Sequence, residues 1–268
     1  MFYNSQSDAE KSHLTDALCF ELGKVNAQPV RERMIRILSY VDKGLAAEVA
    51  YALGLEVPKD DTTPLNFGVP ADAPPGSYEP LIKEPSVERS EALSMAATIK
   101  DSIRTRQIAV LAAEGVNATQ LNAMKTGLQA AGATVEIIAP RQGMLQAADD
   151  TEIPVDKSLL TAASVFYDAV YIPGGTMSVA TLAGDADAVH FLNEAFKHCK
   201  AIAADEDARQ VLEATNFAKK LPEDFEDETV LTEGVVIGND SKILARQFIA
   251  AVARHRFWDR EKARKVPA

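Results

Sequence analysis

Apolar residues fall along this chain in two distinct rhythms. From about residue 103 onward, short apolar runs alternate with longer amphipathic stretches. QIAVLAA begins at Gln107, TVEIIAP at Thr134, DAVYIPGG at Asp168, AIAA at Ala201 and VVIG at Val235. Runs this short and this apolar read as buried strands. Between them, NATQLNAMKTGLQAAGA closes on Gly132 and reads as a helix capped by Asn117. DADAVHFLNEAFKHCK, DARQVLEATNFAKK and a long final DSKILARQFIAAVARHRFW read as helices too. Strands alternating with helices predict an α/β fold, a doubly wound parallel sheet covered on both faces. No internal repeat or low-complexity tract interrupts it.

Residues 1–56 keep a purely helical rhythm. SDAE at 7–10 is a capping box in which Ser7 accepts from the Glu10 amide. Leu14, Ala17, Leu18 and Leu22 follow at helical spacing, and Val30, Met34, Ile37, Leu38 and Val41 line one face of VRERMIRILSYV. AAEVAYALGLEV adds a short third helix ending near Gly54. These stripes amount to little core on their own and call for a partner. Residues 57–85 then hold seven of the chain's 13 prolines. Each removes an N–H donor and disfavours helix before it, so an extended, stiff connector is expected. Its Leu65, Phe67, Tyr78, Leu81 and Ile82 suggest that it is laid against a surface. The expected division is a helical segment at 1–56, a Pro-rich linker at 57–102 and an α/β domain at 103–268.

Composition narrows the function. With 47% apolar and 25% charged residues the chain suits a globular protein, and no apolar run reaches the roughly 18 residues of a membrane span. The opening MFYNSQSDAEKS lacks the basic start and apolar core of a secretory signal. A net charge of −11 disfavours nucleic acid and acidic lipid as partners. Cys19 and Cys199 are too few for a disulfide scaffold or a thiolate zinc site, and read as free thiols packed as small apolar groups. Cytoplasmic and secreted settings both stay open.

Open α/β sheets hold ligands at the carboxyl ends of their strands. After the first strand, AAEGVNAT offers one glycine and one threonine to a phosphate, with Glu114 placed to repel it. After the third, Gly174 and Gly175 permit a tight turn whose amides could line an oxyanion hole. After the fourth, a strand runs straight into a helix at AADEDAR, the geometry of a nucleophile elbow. Ala204 has no reactive atom, and Asp205, Glu206 and Asp207 read as carboxylates favoured by a helix N-terminus. His190, Glu194 and His198 share a helix face, but the histidines lie eight residues apart, about 12 Å along the axis. A solvated face is the simpler reading. The acidic stretch EDFEDETVLTE at 223–233 lacks calcium-loop spacing and reads as a solvated loop. No catalytic, cofactor-binding or metal residue is assigned.

VLAAEG, YDAVYIPGG and the strand entering the elbow resemble the DJ-1/PfpI-like, class I glutamine-amidotransferase-like superfamily, which has a flavodoxin-like fold. Active members carry Cys in an A-[IV]-C-x-G turn and an acid near the start of the first helix. The resemblance puts Ala204 at the Cys position and Thr119 at the acid, so both are vacated. It implies a vestigial pocket of Glu114, Thr119, Gly174, Gly175, Ala204 and Asp205, with hydrolase or glyoxalase chemistry through Cys199 as the alternative. Over the whole chain, FYNSQSDAEKSHLTDALCFELGKV, VRERMIRILSYVDKGLAAEVAYALGLEVP and the ending ARHRFWDREKARKVPA resemble the carboxyl-terminal region of large-subunit, clade 2 haem catalases. That resemblance implies a piece of an enzyme that disproportionates hydrogen peroxide as a homotetramer, with Met1 an added start. The haem, its distal His and Asn and its proximal Tyr in an R-x-x-x-Y setting are expected upstream. Within such a parent the chain would stabilise the tetramer, and its exposed stripes suit chaperone-like binding of unfolding clients.

Overall fold

A computed structural model describes residues 1–59, 70, 72–78, 86–97, 100–221, 230–232 and 234–263. The chain forms two compact units, residues 1–98 and 99–268. The side chains of Leu65, Phe67, Tyr78, Leu81 and Ile82, and the acidic stretch at 223–229, lie outside the described part.

In the first unit α1 is Phe2–Ser5, α2 Asp8–Gly23, α3 Gln28–Val41 and α4 Lys43–Ala52. The expected capping box closes α2: the Glu10 amide donates to Ser7 Oγ and the Ser7 amide to Glu10 Oε2. Glu10 also accepts from Ser94 Oγ at 2.7 Å and from the Met95 amide at 2.7 Å, while Gln6 Nε2 donates to Leu93 O at 2.7 Å. These bonds tie residues 93–95 to the start of α2. The core is small: Leu22, Ile35, Leu38, Leu45, Ala46, Val49 and Ala50. The stripe expected on α3 packs only in part. Leu38 turns inward and Met34 packs against the core, joined by Ile35, whereas Val30, Ile37 and Val41 are exposed, because α4 lies against the neighbouring face.

The second unit is the α/β domain. Its main sheet runs β5-β2-β1-β6-β7-β9-β8, with β1 at Gln107–Leu111, β2 at Thr134–Ala139, β5 at Lys157–Ser158, β6 at Ala169–Ile172, β7 at Ala201–Asp205, β8 at Val230–Thr232 and β9 at Val235–Gly238. All pairings are parallel except β8 with β9 at the edge. The five expected strands are all present. The pattern did not reveal β5, β8, or the separate hairpin of β3 (Gly143–Gln146) and β4 (Glu152–Val155).

Alternation along each strand builds two cores. Ile108, Val110, Tyr171, Ala203 and Val236 face α5 (Ala118–Ala130) and α9 (Ser241–Ala253). Ala109, Leu111, Val170, Ile172, Ile202 and Ala204 face α6 (Thr176–Gly184), α7 (Ala186–Lys197) and α8 (Arg209–Glu213). Asn117, Asp185 and Asp240 cap α5, α7 and α9 through their side chains. The expected helix DARQVLEATNFAKK breaks up. Thr215 Oγ1 donates back to Leu212 O at 2.6 Å, the Asn216 amide is taken by Asn193 Oδ1, and Phe217 turns in to stack on Phe196 with centroids 4.1 Å apart.

Candidate functional site

Strand order reverses between β1 and β6, so the crevice outside their carboxyl ends is where such a sheet would hold a ligand. Here the loops on either side touch. The Asn117 amide donates to Gly174 O at 2.8 Å, and the buried Ala113 amide to Ser178 Oγ at 2.9 Å. Gly175 has φ +114°, and a Cβ there would stand 2.3 Å from Gly115 O and 2.7 Å from Asn117 N. Only glycine permits so close a backbone approach.

The two amides suited to an oxyanion hole are occupied by the chain's own side chains. Gly174 N–H donates to Gln120 Oε1 at 3.1 Å and Gly175 N–H to Asp207 Oδ2 at 3.2 Å. The Asp207 carboxylate sits so close that a Cβ on Gly174 would lie 2.1 Å from its oxygens. Ala204, at the elbow position, has no exposed surface and is paired between Ile172 and Ile237.

Asp205 departs from the expected reading. It is fully buried and caps no helix, because β7 runs on through it and only Glu206 and Asp207 reach solvent in a 3₁₀ turn before α8. Tyr171 Oη donates to its Oδ2, and Oδ1 has no partner among the described residues. Burial first, and the Asp207 charge after the Tyr171 bond that opposes it, push the Asp205 carboxyl up to about 7. The Gly174 amide, bonded to Gln120, only moderates this. Burial and the same carboxyl also raise the Tyr171 hydroxyl.

The remaining expected residues scatter. Glu114 faces away from the crevice: Arg141 Nη2 contacts its Oε1 at 2.5 Å and the Gln146 amide donates to Oε2 at 2.7 Å, which holds β3 in place. Thr119 is exposed in the first turn of α5. Cys199 is buried just before β7, at the opposite end of the strand from Ala204, in a left-handed turn with φ 59°. On α7, Glu194 contacts His198 at 3.2 Å and Lys197 at 3.5 Å. Among the described residues no His, Cys, Asp or Glu group is arranged to hold a metal ion. Gln120 and Tyr171 are the site residues that sequence reasoning missed, and Asp207, read there as a helix N-terminal carboxylate, instead accepts from the Gly175 amide. Gln120 lies three residues after the Asn117 cap, but its reach to Gly174 depends on the β1–β6 adjacency, which spacing does not encode.

Comparison with known proteins places this arrangement. Residues 104–262 match the family described as the C-terminal domain found in long catalases, and residues 1–53 the family described as catalase-related immune-responsive. The chain belongs to the long-catalase C-terminal domain family. Catalase HPII of Mycobacterium avium is 36% identical over 272 residues, covering 100% of this chain and 36% of the relative. A catalase of Alkalihalophilus pseudofirmus is 33% identical, covering 97% of this chain and 33% of its own length. Catalase-2 of Bacillus subtilis is 32% identical with the same coverages, 97% and 33%. The chain therefore spans about a third of the length of the curated relatives it matches. Its sequence corresponds to the C-terminal region of long catalases.

One segment invites a test against haem. RILSY, Arg36 to Tyr40, carries the R-x-x-x-Y spacing. Both residues lie on α3, where Tyr40 is 51% exposed beside a groove of about 650 Å³ lined also by Ser39, Lys43, Val57 and Lys59. A haem needs a closed, largely apolar slot with an axial ligand aimed into it. An open groove rimmed by ammonium groups does not fit that need.

Proposed function

We propose that this chain is the non-catalytic C-terminal part of a long catalase, acting by packing against the rest of the enzyme. In that reading residues 1–56 close the catalase core, 57–102 form a linker and 103–268 are the terminal domain. It stabilises a homotetramer and shapes access to a haem whose ligands lie elsewhere, where hydrogen peroxide is disproportionated. The observation that carries the reading is the plugged crevice. An elbow needs a nucleophile, a base and free oxyanion donors. Here the elbow residue is a buried alanine, and both glycine amides are held by Gln120 and Asp207. The exposed Val30, Ile37 and Val41 on α3 support the packing role, since such a stripe suits an interface.

The test compares the complete long catalase with one truncated before the segment equivalent to residue 99. Truncation is expected to lower the inactivation temperature and loosen the tetramer while leaving haem and initial turnover in place. The isolated chain is expected to show neither a Soret band nor peroxide turnover. Haem uptake by the chain, or a truncated tetramer as durable as the complete one, contradicts the proposal.

A second reading follows from Phe2, Phe20, Tyr40 and Tyr51, which are 60%, 66%, 51% and 89% exposed. An acidic, soluble body carrying such surface suits chaperone-like capture of unfolding proteins. It predicts that the chain at equimolar amounts suppresses heat aggregation of an unrelated enzyme. Unchanged light scattering ends it.

A further inference from the structure

The groove beside Tyr40, which fits no haem, has a charge pattern of its own. Residues three and four apart share a helix face, so α3 presents Arg36, Ser39 and Tyr40 together. The first turn of α4 adds Lys43, and the chain leaving α4 brings Val57, Pro58 and Lys59 to the same groove of about 650 Å³. Three cations therefore line one groove, and among the described lining residues there is no carboxylate. In a chain with 39 acidic and 28 basic residues, a wall of one positive sign runs against the composition.

Carboxylates close by in sequence are turned to other tasks. Asp42 Oδ1 accepts from the Leu45 amide at 2.9 Å and caps α4, and Glu32 Oε1 accepts from Gln28 Nε2 at 2.8 Å. The cations themselves differ in kind. Arg36 is 6% exposed, so packing fixes it, whereas Lys43 and Lys59 are exposed on flexible stems that can follow a ligand. Between them lie the half-exposed ring of Tyr40 and the partly buried Val57 and Pro58. A cleft lined by one sign of charge concentrates ligands of the other. Its shape selects their class. Small-molecule sites enclose most of their ligand, which a groove with an exposed tyrosine and two exposed lysines on its walls does not do. Acidic peptide segments, by contrast, are recognised by clustered basic side chains at a surface.

We propose that this groove docks an extended acidic peptide segment of a partner protein. Its carboxylates are set against Arg36, Lys43 and Lys59, and one apolar or aromatic side chain lies between them on Tyr40, Val57 and Pro58. The planar fork of an arginine suits a carboxylate, and the lysines add attraction that salt screens. The groove belongs wholly to the helical unit, and it stands whether or not the packing role does.

The test titrates a rhodamine-labelled peptide, EEFEE, with the whole chain and follows fluorescence anisotropy. Anisotropy is expected to rise with EEFEE, to rise less with EEAEE and to stay flat with the uncharged QQFQQ. Raising sodium chloride from about 50 to about 200 mM should weaken the binding, because exposed charges are screened. Lys43→Glu and Lys59→Glu should each weaken it by about 5–10-fold at low salt. Lys242→Glu makes the same change in net charge on an exposed position of α9 and should cost less than about 2-fold. Inorganic phosphate should displace no more peptide than chloride of equal ionic strength. No binding of EEFEE, equal binding of QQFQQ, equal losses in Lys43→Glu and Lys242→Glu, or displacement by phosphate overturns the docking site. A chain that self-associates in sedimentation and comes apart on Lys43→Glu gives the groove to a second copy, and overturns it too.

Discussion

Asp205 shows what happens when an elbow loses its chemistry and keeps its geometry. Its carboxyl has no exposed surface, one oxygen bonded to Tyr171 and one with no partner among the described residues. A buried, incompletely bonded carboxylate destabilises a fold. The sign of the pH effect follows from the raised value. The unfolded carboxyl titrates near 3.8 and the folded one at about 7, so the folded chain holds a proton that the unfolded chain releases. This group's contribution is full below the unfolded value and is lost as pH rises toward about 7. Asp205→Asn keeps the shape and the Tyr171 bond without the charge. It is expected to raise stability above neutral pH by about 1–3 kcal/mol, and the gain should fade toward the unfolded value. Urea unfolding across that pH range checks it; a gain independent of pH would mean that the Asp205 carboxyl titrates alike in the folded and unfolded chains. His255 works the other way. Its folded value of about 4 lies below the ordinary 6.5, so its contribution is present above 6.5 and is lost as pH falls through about 4.

At the scale of elements, the crevice is closed by where β1 and β6 send their loops, and two adjacent glycines serve that closure differently. At Gly175, with φ +114°, a Cβ would meet backbone on three sides, including Gly115 O at 2.3 Å, and backbone there cannot yield without moving the loop. At Gly174 the obstacle is the carboxylate of Asp207, the end of an exposed side chain that can swing away. Gly175→Ala should therefore destabilise by about 2–4 kcal/mol and Gly174→Ala by about 1 kcal/mol, with Asp207→Ala relieving only the latter. Equilibrium unfolding of the two glycine variants, each with and without Asp207→Ala, checks the order, and equal losses at the two glycines would mean that the loops are not in contact. The same elements show what the sequence could reveal. Gln107–Leu111, Ala169–Ile172 and Ala201–Asp205 were legible because strands buried on both faces are continuously apolar. The β3–β4 hairpin was not, since GMLQ and EIPV bury one residue each, too few to set a period. Nor was the inward face of α3: its apolar residues circle the helix, so only α4 decides that Ile35 and Leu38 pack while Ile37 does not. In the site, Ala204 was readable as an empty nucleophile position. Its stopper Gln120 comes from another element, and the bond of Asp207, in the elbow itself, to the Gly175 amide appears only once the sheet is assembled.

On the scale of the whole chain, the two compact units differ in how much core each can call its own. Among the described residues the first unit gathers seven buried apolar residues into one cluster, three of them alanine or leucine on a single face of α4. The second gathers 27 and 25 on the two faces of its sheet, so the central strands β1, β6 and β7 are covered from both sides. Hydrophobic stabilisation grows with apolar area removed from water, and a core of seven residues leaves little surplus over chain entropy. The polar clamps of Glu10 on Ser94 and Met95, and of Gln6 on Leu93, add about 1 kcal/mol each at most, because water competes for the same groups. Thermal unfolding of the chain should then show two transitions. The lower one should carry the helical signal of residues 1–98, and the upper one the α/β domain. A fragment of residues 99–268 is expected to retain the upper transition within a degree or two, whereas Leu45→Ala should lower only the first. Calorimetry of the chain, the fragment and the variant checks all three points. A single transition moved as a whole by Leu45→Ala would show instead that the two units fold as one cooperative body.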